Sequence, residues 1–221
     1  MNPLPRPRPA RAVLEGRYAR LEPIGLQHAA GLYAACGGAD NATRFDYLSE
    51  SPPAREADIH AWIDKVASQD DPLFFAVLDR ASDRCEGRQA LMRITPEHGV
   101  IELGSIYWGP AIARSRVATE AFYLHARYVF ETLGYRRFEW KCNDRNAPSK
   151  RAASRFGFTF EGLFRQHMWI KGASRDTAWF SIVDREWPAI GAEFERWLAA
   201  PNFDAAGLQR SPLAARAHAD R

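Results

Sequence analysis

Several residues in this sequence have types and spacings suited to chemistry. Glu102 interrupts the apolar run Val100-Ile101-Glu102-Leu103. A carboxylate there is costly unless it faces solvent, joins an ion pair or moves a proton, and the spacing leaves these open. Asn146 and Ser149 stand in Asn143-x-x-Asn146-Ala147-Pro148-Ser149, at the expected start of a short helix, where both are ordinary capping types. Glu139 and Lys141 flank Trp140 on an expected strand, so they share a face, and a salt bridge is favoured over a second working carboxylate. Tyr47, in the acidic-aromatic loop 40–50, either packs its loop or lines a binding site together with the turn at 171–174. His125 and His167 lack a second ligand at metal spacing and read as packing or surface residues. Cys142 has no His partner in sequence and reads as core.

These positions need a scaffold that gathers them. Residues 20–25 read as a first strand, and residues 26–36 carry Ala29, Leu32, Tyr33 and Cys36 at helical spacing. After a polar loop, residues 55–67 put Ile59, Trp62, Ile63 and Val66 on one helical stripe. Runs at 72–78, 89–94 and 100–108, separated by charged turns, have the pattern of an antiparallel meander. A long helix is predicted over 116–133, with Gly134 as its C-cap. Its apolar residues spread beyond one face, from Val117, Ala121 and Leu124 to Phe122 and Val129, so it is covered on more than one side. A strand over 137–142, a short helix over 148–156, strands over 159–170 and 177–183, and a final helix over 187–198 complete the α/β pattern. The expected organisation is one domain over 13–198, with a disordered Pro/Arg tail at 1–12 and a second, C-terminal tail at 199–221.

Composition narrows the partners. The net charge of +3 lies largely in the two tails, and the near-neutral body gives no footprint for nucleic acid. Cys36, Cys85 and Cys142 are widely spaced and form no C-x-x-C pair, which points away from disulfide and zinc frameworks and toward a reducing, cytoplasmic setting. No apolar run approaches the roughly 20 residues of a membrane span. A soluble monomer or homodimer is expected.

Four segments in order resemble the GNAT (GCN5-related N-acetyltransferase) superfamily. They are Glu102-Leu103-Gly104 on a strand ending in Trp108-Gly109-Pro110; Val117-Ala118-Thr119-Glu120-Ala121 opening the long helix; Asn143-x-x-Asn146-Ala147-Pro148-Ser149; and Arg155-Phe156-Gly157-Phe158. Asp46-Tyr47-Leu48 and Gly162-x-x-Arg165-Gln166-His167-Met168 resemble its ribosomal-protein-acetyltransferase (RimJ/RimL-type) branch. The resemblance implies a splayed, mostly antiparallel mixed sheet flanked by helices. Acetyl-CoA would be the co-substrate, no metal would be needed, and the acceptor would be a primary amine, either a protein N-terminal α-amine or a small amine. It implies a pyrophosphate on the long-helix N-terminus at Arg114, Arg116, Val117, Ala118 and Thr119, and a thioester beside Ile106, Tyr107 and Trp108 with a backbone N–H polarising its carbonyl. Asn146 would hold the pantetheine arm. Ser149 would stand near the sulfur as proton donor, Glu102 would take the amine proton, and Tyr47 and Glu139 would line the acceptor side.

Two departures from the superfamily pattern stand out. Its Q/R-x-x-G-x-G/A loop is represented here by Ala113, Arg116 and Ala118, with Arg114 where relatives often carry another Gly. The compensation expected is that Arg114 and Arg116 keep negative φ and aim charge at a phosphate. The phenol that many members place four residues before the Gly-Phe pair is replaced by Ala153. The alternative these losses leave is a non-catalytic acyl-CoA-binding or interaction module.

Overall fold

A computed structural model describes residues 4–215 of the chain. Its strands β1 (Leu14–Glu15), β2 (Ala19–Pro23), β3 (Leu73–Asp79), β4 (Arg84–Thr95), β5 (Val100–Trp108), β6 (Arg137–Asn143), β7 (Thr159–Ile170) and β8 (Ala173–Val183) form one sheet, ordered β1-β2-β3-β4-β5-β6-β8-β7. Every neighbouring pair is antiparallel except β5 with β6. Helices α1 (Ala29–Cys36) and α2 (Glu56–Val66) lie between β2 and β3, α3 (Arg116–Arg127) between β5 and β6, and α4 (Ala147–Arg155) between β6 and β7. Helix α5 (Trp187–Leu198) follows β8. The mixed α/β architecture expected from the sequence is the one observed.

The two faces of the sheet carry separate cores, and β3 shows why. Its Leu73, Phe75 and Val77 pack with the α3 side, and its Phe74, Ala76 and Leu78 pack with α1 and α2. A strand covered on both faces needs an unbroken apolar run, which this segment supplies. Helix α3 is buried along almost its whole length, then loosens into a π turn at Tyr128–Thr132 before Gly134 reverses the chain at φ +70°. Glu120 of α3 accepts backbone hydrogen bonds from Arg17 (2.9 Å), Tyr18 (2.5 Å) and Ala19 (2.6 Å), tying the helix to the β1–β2 turn. The approach is so close that a Cβ on Gly16 would clash with the Glu120 carboxyl group.

Where they are described, parts of both expected tails contact the body of the chain. Beyond residue 198 the chain packs back on α5: Phe203 is buried, its ring centroid lies 5.0 Å from that of Trp197, and Ala215 is fully buried. Asn202 holds this segment by donating to Trp197 O (2.8 Å) and accepting from Ser211 N (3.0 Å). At the other end, Ala10 N donates to the Tyr128 hydroxyl (2.9 Å) and Arg11 to Gln69 O (2.7 Å). Residues 1–3 and 216–221 of the expected tails lie outside the described residues. Among the described residues no helix is long and apolar enough to cross a membrane.

Candidate active site

Strands β5 and β6 pair over only three rungs, Val100 with Arg137, Ile101 with Phe138 and Glu102 with Glu139. β5 then continues beside β4 and β6 beside β8, so the two strands part. The facing edges, residues 103–108 and 140–143, are backbone without a strand partner. Such edges offer hydrogen bonds to an extended polar chain laid between them.

A bulge shapes the β5 wall of this slot. Ala90 pairs with Gly104 but Arg88 with Tyr107, which leaves Ser105 and Ile106 opposite the single residue Gln89. Ser105 takes φ +47° and its carbonyl accepts from Arg88 Nη1 at 2.8 Å. The extra residue flips the alternation. Leu103 and Ile106 both pack on the α3 side, whereas Tyr107 turns to the α1 side and donates its hydroxyl to Ala35 O (3.0 Å). The Trp108 indole N–H donates to Gln89 Oε1 (3.0 Å), and the Gln89 amide in turn donates to Ala121 O (2.9 Å) and His125 Nδ1 (2.8 Å). The polar side-chain atoms of Tyr107 and Trp108 are thus engaged within the protein, and the backbone of 106–108 borders the slot.

At the N-terminus of α3, Ser115 Oγ accepts from Val117 N (3.1 Å) and Ala118 N (3.5 Å), and Thr119 Oγ1 donates to Ser115 O (2.9 Å). The expected compensation by two arginines does not take the predicted form. Arg114 adopts φ +63°, in the left-handed region, and its side chain is exposed. Arg116 stacks its guanidinium on Tyr18, 4.4 Å from the ring centroid, with Phe203 at 5.3 Å. The cation that does reach the first turn is Arg155, which received no role from the sequence. Its Nη1 donates to Thr119 Oγ1 (3.1 Å), its guanidinium lies 5.0 Å from the Trp197 ring centroid, and burial lowers its pKa. No carboxylate pairs with it among the described residues, so it is a partly desolvated cation beside a helix N-terminus.

Glu102 sits at the last rung before the strands part. It is 3% exposed, and its Oε2 meets Arg93 Nη1 at 2.6 Å and Lys141 Nζ at 3.0 Å. Oε1 has no protein donor among the described residues and faces Gly104, where an added Cβ would come within 3.1 Å of it. Lys141 also pairs with Glu139 (2.7 Å), and its Nζ stands 3.6 Å from the Trp179 ring centroid. Arg137 extends the network from Glu139 (2.8 Å) to Glu161, whose carboxyl it holds below the ordinary range. Glu139 and Lys141 thus share a face and form an ion pair.

On the opposite wall, Asn146 Oδ1 caps α4 by accepting from Ser149 N (3.1 Å), and Ser149 Oγ accepts from the Trp140 indole N–H (2.9 Å). Ala153 is fully buried in the core. Cys142 is buried, which pushes its thiol pKa up. Tyr47 donates its hydroxyl to Arg145 O (3.1 Å) and Lys171 Nζ donates to Phe45 O (2.8 Å), so the 40–50 loop, the β6–α4 loop and the β7–β8 turn meet. Among the described residues Tyr47 and Glu139 have separate partners, Arg145 O for the first and Arg137 and Lys141 for the second. His167 Nδ1 lies 3.0 Å from Thr177 Oγ1.

Residues 19–159 match the acetyltransferase (GNAT) domain. The chain is 56% identical to a GCN5-related N-acetyltransferase from Brucella melitensis, whose crystal structure superposes with a TM-score of 0.95 over 100% of this chain and 99% of that one. It is 36% identical, with a TM-score of 0.77, to a protein from Chromobacterium violaceum described as a probable GNAT-family acetyltransferase, over 85% of this chain and 96% of that one. An uncharacterized N-acetyltransferase p20 from Bacillus licheniformis is 30% identical over 51% of this chain, a match that spans 63% of that relative's length. The parting strands, the bulged wall and the long helix facing them are therefore those of a family member: the chain belongs to the GNAT family of N-acetyltransferases.

Proposed function

We propose that this protein transfers an acetyl group from acetyl-CoA to a primary amine directly, within a ternary complex. The observation that carries the reading is the separation of β5 from β6 beyond Glu102 and Glu139, which leaves two unpaired backbone edges leading to the bulge at Ser105. Acetyl-CoA fits such a slot as a substrate, since its pantetheine arm is an extended chain of amides and its phosphates suit a helix N-terminus. It brings the activated acyl group.

The residues then divide the work. The backbone of Ile106, Tyr107 and Trp108 orients the thioester carbonyl, and an N–H on that edge stabilises charge on its oxygen. Val117, Ala118 and Thr119 in the first turn of α3, with Arg155 beside them, hold the phosphates. Asn146 positions the arm and Ser149 offers a proton to the departing sulfur. Glu102, fixed through Oε2 by Arg93 and Lys141, takes the amine proton on Oε1, directly or through a water. Tyr47 and Glu139 belong to the acceptor side. The acceptor is a protein N-terminal α-amine, as in the RimJ/RimL-type branch that the 46–48 and 162–168 segments resemble, or a small amine. A cytoplasmic protein fits this use of acetyl-CoA.

Mixing the purified chain with acetyl-CoA and a panel of amines tests the reading. Stoichiometric release of free thiol and appearance of acetylated amine by mass spectrometry are expected. Binding of acetyl-CoA with neither product would favour a non-catalytic binding module, which the cap of Ser115 on the Val117 and Ala118 N–H groups would then explain.

A further inference from the structure

The bulge in the β5 wall is held from outside the strand ladder. Ser105 and Ile106 stand opposite Gln89 alone, so the regular pairing of β4 with β5 is interrupted there. The Ser105 carbonyl accepts instead from a side chain, that of Arg88, with Nη1 at 2.8 Å. Ser105 itself lies in the left-handed region at φ +47°, a conformation that a residue other than glycine keeps only when its surroundings hold it.

Arg88 is built as a clamp. It is 4% exposed, and its guanidinium lies 4.5 Å from the Trp62 ring centroid and 5.4 Å from that of Phe74. Nη2 donates to Glu50 Oε1 at 3.1 Å, which balances the buried charge, and Nη1 takes the bulge carbonyl. Neutralising the cation needs only the first of these bonds.

The direction of the second bond shows what it adds. In a trans peptide the C=O of one residue and the N–H of the next point opposite ways, so fixing the Ser105 carbonyl also fixes the Ile106 N–H. β4 and β6 flank β5 on opposite sides. A carbonyl turned to a side chain of β4 therefore leaves the Ile106 N–H on the edge that borders the slot.

We infer that Arg88 is a positioning residue for acyl transfer: its grip on the Ser105 carbonyl aims the Ile106 N–H at the thioester carbonyl oxygen. It acts through the bulge and not on the substrate. The inference rests on the acetyl-transfer reading and names the group that sets its oxyanion donor.

Infrared difference spectra of the full chain with acetyl-CoA, isotope-labelled at the thioester carbonyl, test it without turnover. The parent lowers the carbonyl stretch relative to acetyl-CoA in buffer. Arg88→Met combined with Glu50→Gln removes the clamp without leaving an unpaired carboxylate, and it loses most of that shift. Its kcat falls about 10²-fold, the low end for loss of one oxyanion donor, while acetyl-CoA affinity stays within about twofold. Arg88→Lys keeps a charge for Glu50 but has one nitrogen to divide between Glu50 and Ser105. It gives a smaller shift and a lower kcat than the parent, and it decides the matter if the double variant does not fold. A parental shift and kcat in either folded variant overturn the inference. So does a loss of kcat matched by an equal loss of acetyl-CoA binding, the result a merely structural ion pair would give. A parent that shifts the carbonyl yet acetylates no amine sinks the acetyl-transfer reading and leaves the clamp standing. A parent that acetylates amines without shifting the carbonyl does the reverse.

Discussion

Lys141 Nζ stands 3.0 Å from Glu102 Oε2 across the last rung before β5 and β6 part, so the two charges sit where the sheet opens. Both are nearly buried, with side-chain exposures of 5% and 3%. Burying either alone would be costly, and each is matched by the other and by a further partner, Glu139 for Lys141 and Arg93 for Glu102. The arrangement fixes the direction of the Glu102 carboxyl and leaves Oε1 toward Gly104.

Ser149→Ala is expected to lower kcat about tenfold while changing acetyl-CoA affinity less, because a thiolate departs fairly well unassisted. Steady-state kinetics alongside a binding titration separate the two effects. An unchanged kcat with weakened binding would reassign Ser149 to holding the ligand and the Trp140 indole N–H.

Arg155→Met is expected to weaken acetyl-CoA binding about tenfold and to flatten its dependence on ionic strength, since a charge-assisted contact is lost. Titrations at low and high salt read both quantities. The same affinity and the same salt slope as the parent would remove Arg155 from the phosphate site.

Arg114→Gly is expected to stabilise the fold by about 1 kcal/mol, because a left-handed φ of +63° strains an L side chain and not glycine. Denaturant unfolding measures it. A destabilised variant would mean that the Arg114 side chain contributes more than its backbone costs.

His125 predicts a pH effect on stability. It is fully buried, it accepts at Nδ1 from Gln89, and burial lowers its pKa from 6.5 to about 3. The unfolded chain therefore binds a proton below pH 6.5 that the folded chain refuses. Its contribution is complete above that pH and is lost as pH falls toward 3, at about 1.4 kcal/mol per unit. Unfolding free energies between pH 7 and pH 4.5 should fall more steeply for the parent than for His125→Leu. Parallel curves would place the loss elsewhere.

The elements were readable where periodicity is strong: the unbroken run of β3, the spread apolar face of α3 and the alternation of Glu139 with Lys141. The splay came through the resemblance, since no local spacing reports that two strands part. Other features depend on tertiary geometry. The bulge at Ser105 lies inside an ordinary-looking run, and the β4 segment from Arg84 to Arg88 reads as a charged turn because Glu50, which neutralises Arg88, is far away in sequence. Arg155 resembles any solvated residue at a helix end until α4 is laid beside α3. The segment after α5 has only three large apolar residues, Phe203, Leu208 and Leu213, at no regular spacing to announce itself, yet Phe203 and Asn202 hold it.

Initial rates of thiol release against pH, for the parent and for Glu102→Gln, bear most directly on the claim that this protein catalyses acetyl transfer with Glu102 as proton acceptor. The account predicts turnover by the parent, a loss of roughly 10²-fold or more in the variant at neutral pH, and a smaller loss at high pH where the amine deprotonates unaided. No thiol release by the parent at any pH would contradict the catalytic claim. A loss of equal size at every pH, in a variant that still folds and binds acetyl-CoA, would contradict the role of Glu102.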